Sequence, residues 1–317
     1  MELELLVSQN GDGDFLTIME AVNAVPYRLP ARIFVKSGIY HEKLFVEKQK
    51  LQILGEGTEN TILSFGDYAR QTHPDGKKYG TFRSYTAFLG GEHITVKNLT
   101  IKNTAGDGRS VGQAIAAYVD ARQAYFDHVH LLGCQDTLFT APLPFAPHIP
   151  GSFVGPREKA PRQNSQQYYK NCFIRGDIDF IFGGADAVFE DCTLFSNDRG
   201  ETVNGYIAAP STPKNGLGYL FLNCRLHSLA ASGTVYLARP WRGYAKVAFL
   251  ECEMYKHIAP DGWDYWGNAE NEKSAQFAEY NSTGPGAERD RAFGRQLSAD
   301  EAVKIYQIAK ILKSSIT

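Results

Sequence analysis

One carboxylate in the sequence lies among large apolar residues, where an ionised group is chemically unusual. It is Asp179, within the octet GDIDFIFG at residues 176–183. If the octet is one pleated strand, side chains alternate between faces and Asp179 projects opposite Ile178 and Phe180. Apolar surroundings make ionisation costly unless a cation or hydrogen-bond donors compensate the charge. Asp179 is therefore a candidate nucleophile or proton carrier, although the octet also fits an ordinary aspartate at a sheet edge.

Three further polar segments fall where a strand is expected to begin or end. Gln135 and Asp136 belong to the segment QDTL at 135–138, which we expect to close an alternating strand, and Gln113 opens another. Arg239 and Trp241 lie two residues apart at the end of a third strand, and therefore on the same side of it. Alone, each segment fits a solvated surface. Only the set taken together with Asp179 suggests a site.

The middle of the chain repeats a short alternating segment at intervals of about 20 to 40 residues. Each copy has a small or polar residue at one fixed place, and the copies are bounded by Gly, Asn and Asp, which favours strands over helix pairs. Self-similarity at this period indicates a stacked solenoid, here a parallel β-helix. The copies are residues 96–101, 169–174, 189–194, 221–226 and 250–254.

Stacked coils place equivalent residues of the repeats above one another. Cys172, Cys192, Cys224 and Cys252 would then form a buried interior column. Zinc binding is disfavoured, because these spacings match no zinc pattern and no His accompanies them. A disulfide between Cys172 and Cys192 stays open at this stage. The chain has 5 cysteines, an odd number that precludes complete pairing and mildly favours a reducing compartment.

Helices are expected near both ends, where a solenoid must cover its apolar interior. Residues 15–25 form a short amphipathic pattern, and residues 298–312 form a second one that Ser298 and Glu301 open as a capping box. The proline-rich stretch 140–167 has no clear periodicity and directly follows the Gln–Asp segment, so we expect a functional loop. No linker interrupts the pattern, and we expect one domain over residues 1–317.

Composition and charge bound the possible partners and location. The net charge of −2 suggests neither nucleic acid nor an anionic membrane as a partner, and no apolar run approaches the roughly 20 residues of a membrane span. Residues 1–7 lack the basic start and small-residue cleavage site of a signal peptide. We therefore expect a cytoplasmic protein if the chain is complete, a secreted one if a leader has been removed, and a monomer by default.

In order along nearly the whole chain, these segments resemble the signatures of the pectin methylesterases, or pectinesterases, of bacterial type. That family consists of right-handed parallel β-helix enzymes, so the resemblance implies an all-β solenoid with short capping helices at both ends. It also implies a hydrolase that removes methyl groups from esterified galacturonate in pectin or oligogalacturonides, with no cofactor and no metal. The matching segments are Gln113, QDTL at 135–138, GDIDFIFG at 176–183, RPW at 239–241, GDGDF at 11–15, GIYHE at 38–42 and GPGA at 284–287. The segment YIAAPS at 206–211 lacks the Gln found in the plant enzymes and looks like the bacterial version.

The resemblance further implies a role for each site residue. Asp179 would attack the ester carbonyl carbon, while Asp136 would protonate the departing methanol and then activate the water that hydrolyses the acyl-enzyme. Gln113 and Gln135 would stabilise the oxyanion. Arg239 would pair with Asp179 and keep it ionised, which separates the pKa values of the two aspartates. The residues expected to contact the substrate are Thr81, Phe82, Gln113, Arg239 and Trp241.

Two features depart from the family's pattern. Asp177 stands where the family commonly has a small uncharged residue, and at strand spacing it would share a face with Asp179, where a like charge raises the pKa of one of the pair. The long stretch 140–167 also differs from the plant enzymes. Both bear on the shape of a substrate groove more than on the reaction. Of Trp263 and Trp266, we expect one to line this groove and the other to pack the last coil.

Three other interpretations stay open at the level of the sequence. Residues 108–112, GRSVG, satisfy the G-x-S-x-G elbow of serine hydrolases, but that elbow needs a strand before Ser110 and a helix after it, whereas we expect a turn and then a strand. A β-helix lyase or polygalacturonase would use clustered carboxylates such as Asp136, Asp177 and Asp179, and would leave the glutamines without a role. A β-helix that binds polysaccharide without turnover would keep the groove aromatics.

Overall fold

The chain winds into successive coils of parallel strands. The computed structural model describes residues 2–288 and 291–317, and every pairing among the 22 strands of this part is parallel. The strands are β1 (Leu3–Val7), β2 (Ala31–Val35), β3 (Gly38–Tyr40), β4 (Leu44–Gly55), β5 (Thr61–Phe65), β6 (Ala87–Asn103), β7 (Ala117–Val119), β8 (Gln123–Leu132), β9 (Leu138–Thr140), β10 (Gln166–Lys170), β11 (Phe173–Gly176), β12 (Ile181–Gly183), β13 (Asp186–Glu190), β14 (Thr193–Ser196), β15 (Gly205–Pro210), β16 (Tyr219–Leu222), β17 (Arg225–Ser228), β18 (Val235–Ala238), β19 (Lys246–Leu250), β20 (Glu253–Met254), β21 (Gln276–Tyr280) and β22 (Arg295–Gln296). The helices are α1 (Ile18–Ala24), α2 (Gly108–Val111), α3 (Ala269–Ser274) and α4 (Ala299–Ile316), with a 3-10 helix at Thr81–Arg83.

The strand pairings form three ladders, which are the three faces of a solenoid. The first ladder runs through β1, β2, β4, β6, β8, β10, β13, β16, β19, β21 and β22. The second runs through β3, β5, the ends of β6 and β8, then β11, β14, β17 and β20. The third runs through the starts of β4 and β6, then β7, β9, β12, β15 and β18. This is the right-handed parallel β-helix that the repeats and the resemblance predicted.

Equivalent residues stack directly inside the solenoid. Five rings from successive coils of the first ladder form a continuous aromatic stack, with centroids 4.4–4.8 Å apart. This distance matches the spacing of neighbouring strands, so each ring lies over the one below. The rings are those of Phe126, Tyr169, Phe189, Phe221 and Phe249.

The predicted cysteine column is confirmed. The four thiols are buried in register on consecutive coils, and all five cysteines are free, so Cys172 and Cys192 are not joined by a disulfide. The residue before each thiol turns the corner between the first and second ladders with a left-handed φ. These corner residues are Asn171 (52°), Asp191 (55°), Asn223 (54°) and Glu251 (55°). Asn and Asp tolerate this conformation better than most residues, which explains the fixed polar place in the repeats.

Helix α1 covers the first coil, as predicted. Ile18 and Val22 are buried in the interior cluster, and Thr17 and Glu20 form a capping box at the start of the helix. The Glu42 carboxylate accepts hydrogen bonds from the backbone N–H groups of Ile18 and Met19, both at 2.8 Å. The glutamate of the GIYHE segment therefore has a structural role as a second cap on this helix.

Helix α4 begins at the predicted capping box of Ser298 and Glu301, but it does not cover the end of the solenoid. It lies along the outer face of the first ladder, where Ala309 and Leu312 join an apolar cluster with outward-facing residues such as Tyr168. The expectation of a C-terminal cap was wrong, because several coils expose apolar side chains on this face and the apolar stripe of the helix covers them. Within the described part of the chain, none of the helices has the length and apolar character needed to cross a membrane.

Candidate active site

A cleft over the third ladder brings all of the predicted site residues together. Its volume is about 360 Å³, within the range of sites that hold small molecules. The predicted residues that line it are Thr81, Phe82, Gln113, Gln135, Asp136, Asp179, Arg239 and Trp241. The lining residues that the sequence did not single out are His148, Ile149, Ser152, Phe153, Phe182, Ala209 and Arg242, and Trp266 completes the set.

The two aspartates stand at equivalent corners of consecutive coils. Leu138 of β9 pairs with Ile181 of β12, and Asp136 and Asp179 each lie two residues earlier. Both have a left-handed φ, 65° for Asp136 and 50° for Asp179. The backbone N–H of Asp136 donates to the carbonyl of Ile178 at 3.0 Å, which ties one corner to the next. Both aspartate side chains are thereby turned into the cleft.

The prediction that Asp179 lies within one continuous strand was wrong. The octet 176–183 divides into the end of β11, a turn and β12, because the coil must change direction between its second and third faces. Alternation therefore fails across the octet, and Phe180 packs in the interior while Phe182 faces the cleft. Gln135 and Asp136 likewise precede β9 and do not close a strand, and β7 begins at Ala117, four residues after Gln113.

Arg239 holds the Asp179 carboxylate with both arms of its guanidinium. Its Nε and Nη2 donate to the two carboxylate oxygens, each at 2.8 Å, in the bidentate geometry that makes such pairs strong. The guanidinium carbon lies 3.8 Å from the ring centroid of Tyr206 and 3.7 Å from that of Trp266. Asp264 accepts hydrogen bonds from the Tyr206 hydroxyl, at 2.9 Å, and from the backbone N–H of Trp266. The guanidinium is thus held between the rings of Tyr206 and Trp266, and Asp264 fixes both of these residues.

The two tryptophans divide as expected. Trp266 is 44% exposed and lines the cleft, whereas Trp263 is 2% exposed and packs in the interior cluster. Sequence reasoning missed Tyr206 and Asp264 as supports of Arg239. The nearest signal was the aromatic segment at 262–267, which pointed to Trp266 but not to its partners.

Burial and the ion pair set the two aspartates apart electrostatically. Burial raises the pKa of Asp136 far above its ordinary value, and the negative charge of Asp179 raises it further. Burial also raises the pKa of Asp179, but hydrogen bonds from Arg239 and its positive charge oppose this. These environments differ in a way that favours a proton on Asp136 over one on Asp179, and pairs of acids take different roles when their environments separate their pKa values.

Asp177 does not share a face with Asp179, so that expectation was also wrong. Its carboxylate turns back to accept the N–H of Ile178 at 2.8 Å and the side-chain amide of Asn197 at 3.4 Å. Its negative charge contributes to the raised pKa of Asp136. Asp177 therefore affects the pKa of Asp136, the aspartate on which a proton is favoured.

The two glutamines reach the cleft from adjacent coils. The backbone N–H of Ala114 donates to the Gln135 carbonyl at 3.1 Å, which brings the chain at Gln113 beside Gln135. Gly108 leaves room for the Gln135 side chain, because a Cβ on Gly108 would lie 2.7 Å from the Gln135 Oε1 atom. Both glutamine side chains are partly exposed, so their amides are available to a bound ligand.

The serine-hydrolase elbow is not formed. Asp107 caps the short helix α2, which contains Ser110 itself, and β7 follows after a short connection. An elbow instead places the serine on a sharp turn between a strand and a following helix. Gly108 therefore has the packing role described above.

Aromatic side chains form one wall of the cleft. Phe82, on the 3-10 helix, is 3% exposed and packs against Phe153 and Trp241, with centroid distances of 5.5 and 6.4 Å. Phe153 also contacts Trp241 edge-on at 6.1 Å. Most of Phe82 therefore supports the more exposed Trp241, which presents a flat apolar face to the cleft.

The stretch 140–167 contributes four of the lining residues and is firmly anchored. Arg157 pairs with Asp120 and, through Nη2, with the Glu47 carboxylate at 2.6 Å. Arg162 donates to four backbone carbonyls of the same stretch. These bonds hold His148, Ile149, Ser152 and Phe153 against the cleft. Such a placement agrees with a functional loop.

The cleft of this parallel β-helix holds two buried carboxylates, an arginine that pairs with one of them, and two side-chain amides. This set of groups is typical of a hydrolase with the β-helix fold. The pectinesterase family model matches residues 4–143 and 161–313. Pectinesterase 31 of Arabidopsis thaliana is 33% identical over 308 residues, which span 93% of this chain and 88% of that protein. The chain belongs to the pectinesterase family.

Solved structures agree with this assignment. The pectin methylesterase of Erwinia chrysanthemi superposes with a TM-score of 0.79 at 28% identity, over 94% of each chain. A pectin methylesterase in complex with a hexasaccharide gives a TM-score of 0.78 at 28% identity, again over 94% of each chain. The Erwinia neighbour is consistent with the bacterial type suggested by residues 206–211. The protein is accordingly a pectinesterase, a carboxylic ester hydrolase.

Proposed function

We propose that the protein removes methyl groups from galacturonate units of pectin or oligogalacturonides, with Asp179 as the nucleophile. The observation that carries this proposal is the pair of buried carboxylates on consecutive coils, of which only Asp179 is clamped by Arg239. A covalent nucleophile must be ionised and aimed, and a general acid must start protonated. The clamp meets the first requirement, and the raised pKa of Asp136 meets the second.

The first half of the reaction forms an acyl-enzyme. A carboxylate oxygen of Asp179 attacks the ester carbonyl carbon, and the carbonyl oxygen becomes negatively charged. The amide N–H groups of Gln113 and Gln135 donate hydrogen bonds to that oxyanion. Asp136 gives its proton to the methoxy oxygen as the carbon–oxygen bond breaks, so methanol leaves and an anhydride joins Asp179 to the galacturonyl group.

The second half returns the enzyme to its starting state. Asp136, now ionised, takes a proton from a water molecule that attacks the galacturonyl carbon of the anhydride. The tetrahedral intermediate collapses with Asp179 as the leaving group, and the product is a free galacturonate carboxyl. Asp136 is protonated again, as required for the next cycle. Arg239 stabilises the released Asp179 carboxylate.

Substrate binding rests on the aromatic wall and the rim. We assign Trp241 to stack against a sugar ring, with Thr81, Phe82, Gln113 and Arg239 as further contacts. The hexasaccharide complex of a structural neighbour supports an oligosaccharide as the ligand of this cleft.

We also propose that the enzyme acts as a monomer and as one domain over residues 1–317, and its location inside or outside the cell stays a prediction.

The test is methanol release from highly methyl-esterified pectin in excess EDTA, with absorbance of unsaturated uronate and polymer length followed in parallel. Methanol without a rise in absorbance or a fall in length is the expected result. An absorbance rise would indicate a lyase, and shortening without methanol would indicate a polygalacturonase. If none of the three signals appears, the same assay on methylated trigalacturonate separates an esterase of short oligomers from a β-helix that only binds polysaccharide.

A further inference from the structure

One short turn carries both an oxyanion donor and the general acid of the proposed reaction. It consists of residues 133–136, between β8 and β9, and includes Gln135 and Asp136. The backbone of the next coil holds it in two places. The N–H of Asp177 donates to the Cys134 carbonyl, and the N–H of Asp136 donates to the Ile178 carbonyl, both at 3.0 Å. The position of the turn therefore depends on residues 177 and 178.

Two polar side chains, Asp177 and Asn197, reinforce these backbone contacts. Oδ1 of Asp177 accepts the N–H of Ile178 at 2.8 Å, and so fixes the peptide whose carbonyl holds Asp136. The side-chain amide of Asn197 donates to the Gly133 carbonyl at 3.1 Å and to Oδ2 of Asp177 at 3.4 Å. Asn197 therefore links the first residue of the turn to Asp177, and Asp177 supports the peptide bonded to the last.

Both side chains are themselves held in place by the surrounding coils. Asp177 is 3% exposed, and a Cβ on Gly205 of the following coil would lie 2.4 Å from the Asp177 carbonyl oxygen, so the two coils pack closely there. The carbonyl of Asn197 accepts a hydrogen bond from the side-chain amide of the buried Asn204. Removing one partner of a buried, charged hydrogen bond leaves the other uncompensated, so this arrangement resists displacement.

The charge of Asp177 also reaches the turn. Burial raises the pKa of Asp177, but the hydrogen bonds that both of its oxygens accept oppose this and favour the ionised form. Burial and then the charge of Asp177 raise the pKa of the Cys134 thiol to about 11. Asp177 also adds to the effects of burial and of Asp179 that raise the pKa of Asp136, whereas Arg239 lowers it. The other charged groups that face Asp177 are Arg199 and Asp107.

We propose that Asp177 and Asn197 are positioning residues, which hold the turn at 133–136 so that Gln135 and Asp136 face the ester. This inference rests on the proposed function and adds to it two residues that act through the turn and not on the substrate. An oxyanion donor and a general acid act chiefly in the transition state, and a small displacement of such groups is costly. Loss of either positioning residue should therefore lower kcat and leave KM unchanged.

The test measures methanol release from methylated pectin between pH 5 and 10. Asp177→Ala and Asn197→Ala should each lower kcat by about tenfold and keep KM within about twofold. Asp177→Asn keeps an acceptor for the N–H of Ile178 but removes the charge, so it should retain more of kcat than Asp177→Ala. Because Asp136 must start protonated and loses a negative neighbour, the alkaline limb of kcat/KM in Asp177→Asn should move to lower pH by about half a unit. In Asn197→Ala that limb should stay in place.

Asp127→Ala is the matched control. Asp127 likewise accepts the side-chain amide of an asparagine, that of Asn171 at 3.1 Å, but beside the corner between the first and second ladders. Its kcat, KM and alkaline limb should equal those of the wild type. Melting temperatures show which variants are folded, and if Asp177→Ala is not, Asn197→Ala and Asp177→Asn decide the question.

The outcomes separate this inference from the proposed function. If the folded alanine variants keep kcat within about twofold of the wild type, or raise KM instead, the positioning role is overturned while methanol release by the wild type upholds the esterase. An alkaline limb at the wild-type pH in Asp177→Asn also overturns it, because Asp177 would then not act on Asp136. If the wild type releases no methanol, the proposed function fails and the positioning role fails with it.

Discussion

Asp136 and Asp179 occupy the same corner of consecutive coils, one strand spacing apart. Leu138 pairs with Ile181, and each aspartate precedes its strand residue by two positions with a left-handed φ. Neighbouring strands of a sheet are about 4.8 Å apart. Two acids at this separation in a buried cleft do not readily carry charge together, so one keeps its proton. The solenoid thus generates an acid pair with distinct roles from a simple repeat of one backbone corner.

The arginine clamp should set the acidic limb of the pH profile. Arg239 lowers the pKa of Asp179 against the effect of burial, so Arg239→Gln should raise that pKa. Because the nucleophile must be ionised, the acidic limb of kcat/KM should move to higher pH, and the maximum should fall by at least about tenfold, as expected when a charged hydrogen-bonding partner is lost. Profiles from pH 4 to 9 would show this. An acidic limb at the same pH as in the wild type would contradict the assignment.

Asp136 should reduce the stability of the fold at neutral pH. Its pKa is raised in the folded protein, chiefly by burial, so no penalty exists below the ordinary value of about 3.9, where both states hold the proton. As pH rises above that value, the Asp136 carboxyl ionises in the unfolded chain but keeps its proton in the folded protein. The free energy of unfolding therefore falls. Asp136→Asn removes this titration and should raise Tm at pH 7 by about 2 °C or more.

The size of that gain should depend on pH. The Tm difference between Asp136→Asn and the wild type should be small at pH 4 and should grow toward pH 8, measured by calorimetry. Asp261 is exposed, and its side chain makes no ion pair within the described residues. Asp261→Asn should therefore leave Tm unchanged throughout. A difference for Asp136→Asn that is constant with pH would show that packing, not ionisation, is responsible.

The aromatic rings around Arg239 should be needed to hold the clamp. Tyr206→Leu removes the face under the guanidinium, and kcat should fall roughly tenfold, within the range of a desolvated cation–π contact. Tyr206→Phe keeps the ring but loses the hydrogen bond to Asp264, so a smaller loss is expected. Steady-state kinetics of both variants measure the two contributions. Equal losses would assign the effect to the hydroxyl group and not to the ring.

Activity should depend more on the first glycine of the G-x-S-x-G segment, Gly108, than on its serine. A Cβ on Gly108 would collide with the Gln135 side chain, so Gly108→Ala should displace the amide. It should lower kcat about tenfold or more, less than the roughly hundredfold or greater loss expected when an oxyanion donor is removed outright. Ser110 is exposed, and Ser110→Ala should retain nearly full activity. Methanol release by both variants provides the comparison. Loss of activity in Ser110→Ala alone would restore the serine-hydrolase hypothesis.

The fold could be predicted from the sequence because each coil repeats the same physical requirements. The cysteine column and the polar residue before it recur since every coil turns the same left-handed corner and fills the same interior position. Capping boxes are local in sequence, so that of α4 was also visible. The resting place of α4 was not, because it depends on which outer face leaves apolar surface uncovered by the coils themselves.

The sequence pointed to the residues that we propose to react, which do line one cleft, but not to the residues that support them. Asp179 and Asp136 stand out by type, whereas the octet hides a corner because a turn between two apolar strands looks like one continuous strand. Tyr206 and Asp264 act on Arg239 from other coils, and no short-range pattern links them. Arg242 is oriented by a backbone carbonyl of a distant loop, an interaction that carries no sequence signature.

The central claim is that Asp179 is the covalent nucleophile, and Asp179→Asn tests it most directly. The amide is almost isosteric and can still accept a hydrogen bond from Arg239, so the cleft should keep its shape. Methanol release under saturating methylated pectin should fall by roughly a thousandfold or more, as when a nucleophile is lost, while Tm shows the protein to be folded. A folded Asp179→Asn variant with more than a few per cent of wild-type kcat would contradict the account.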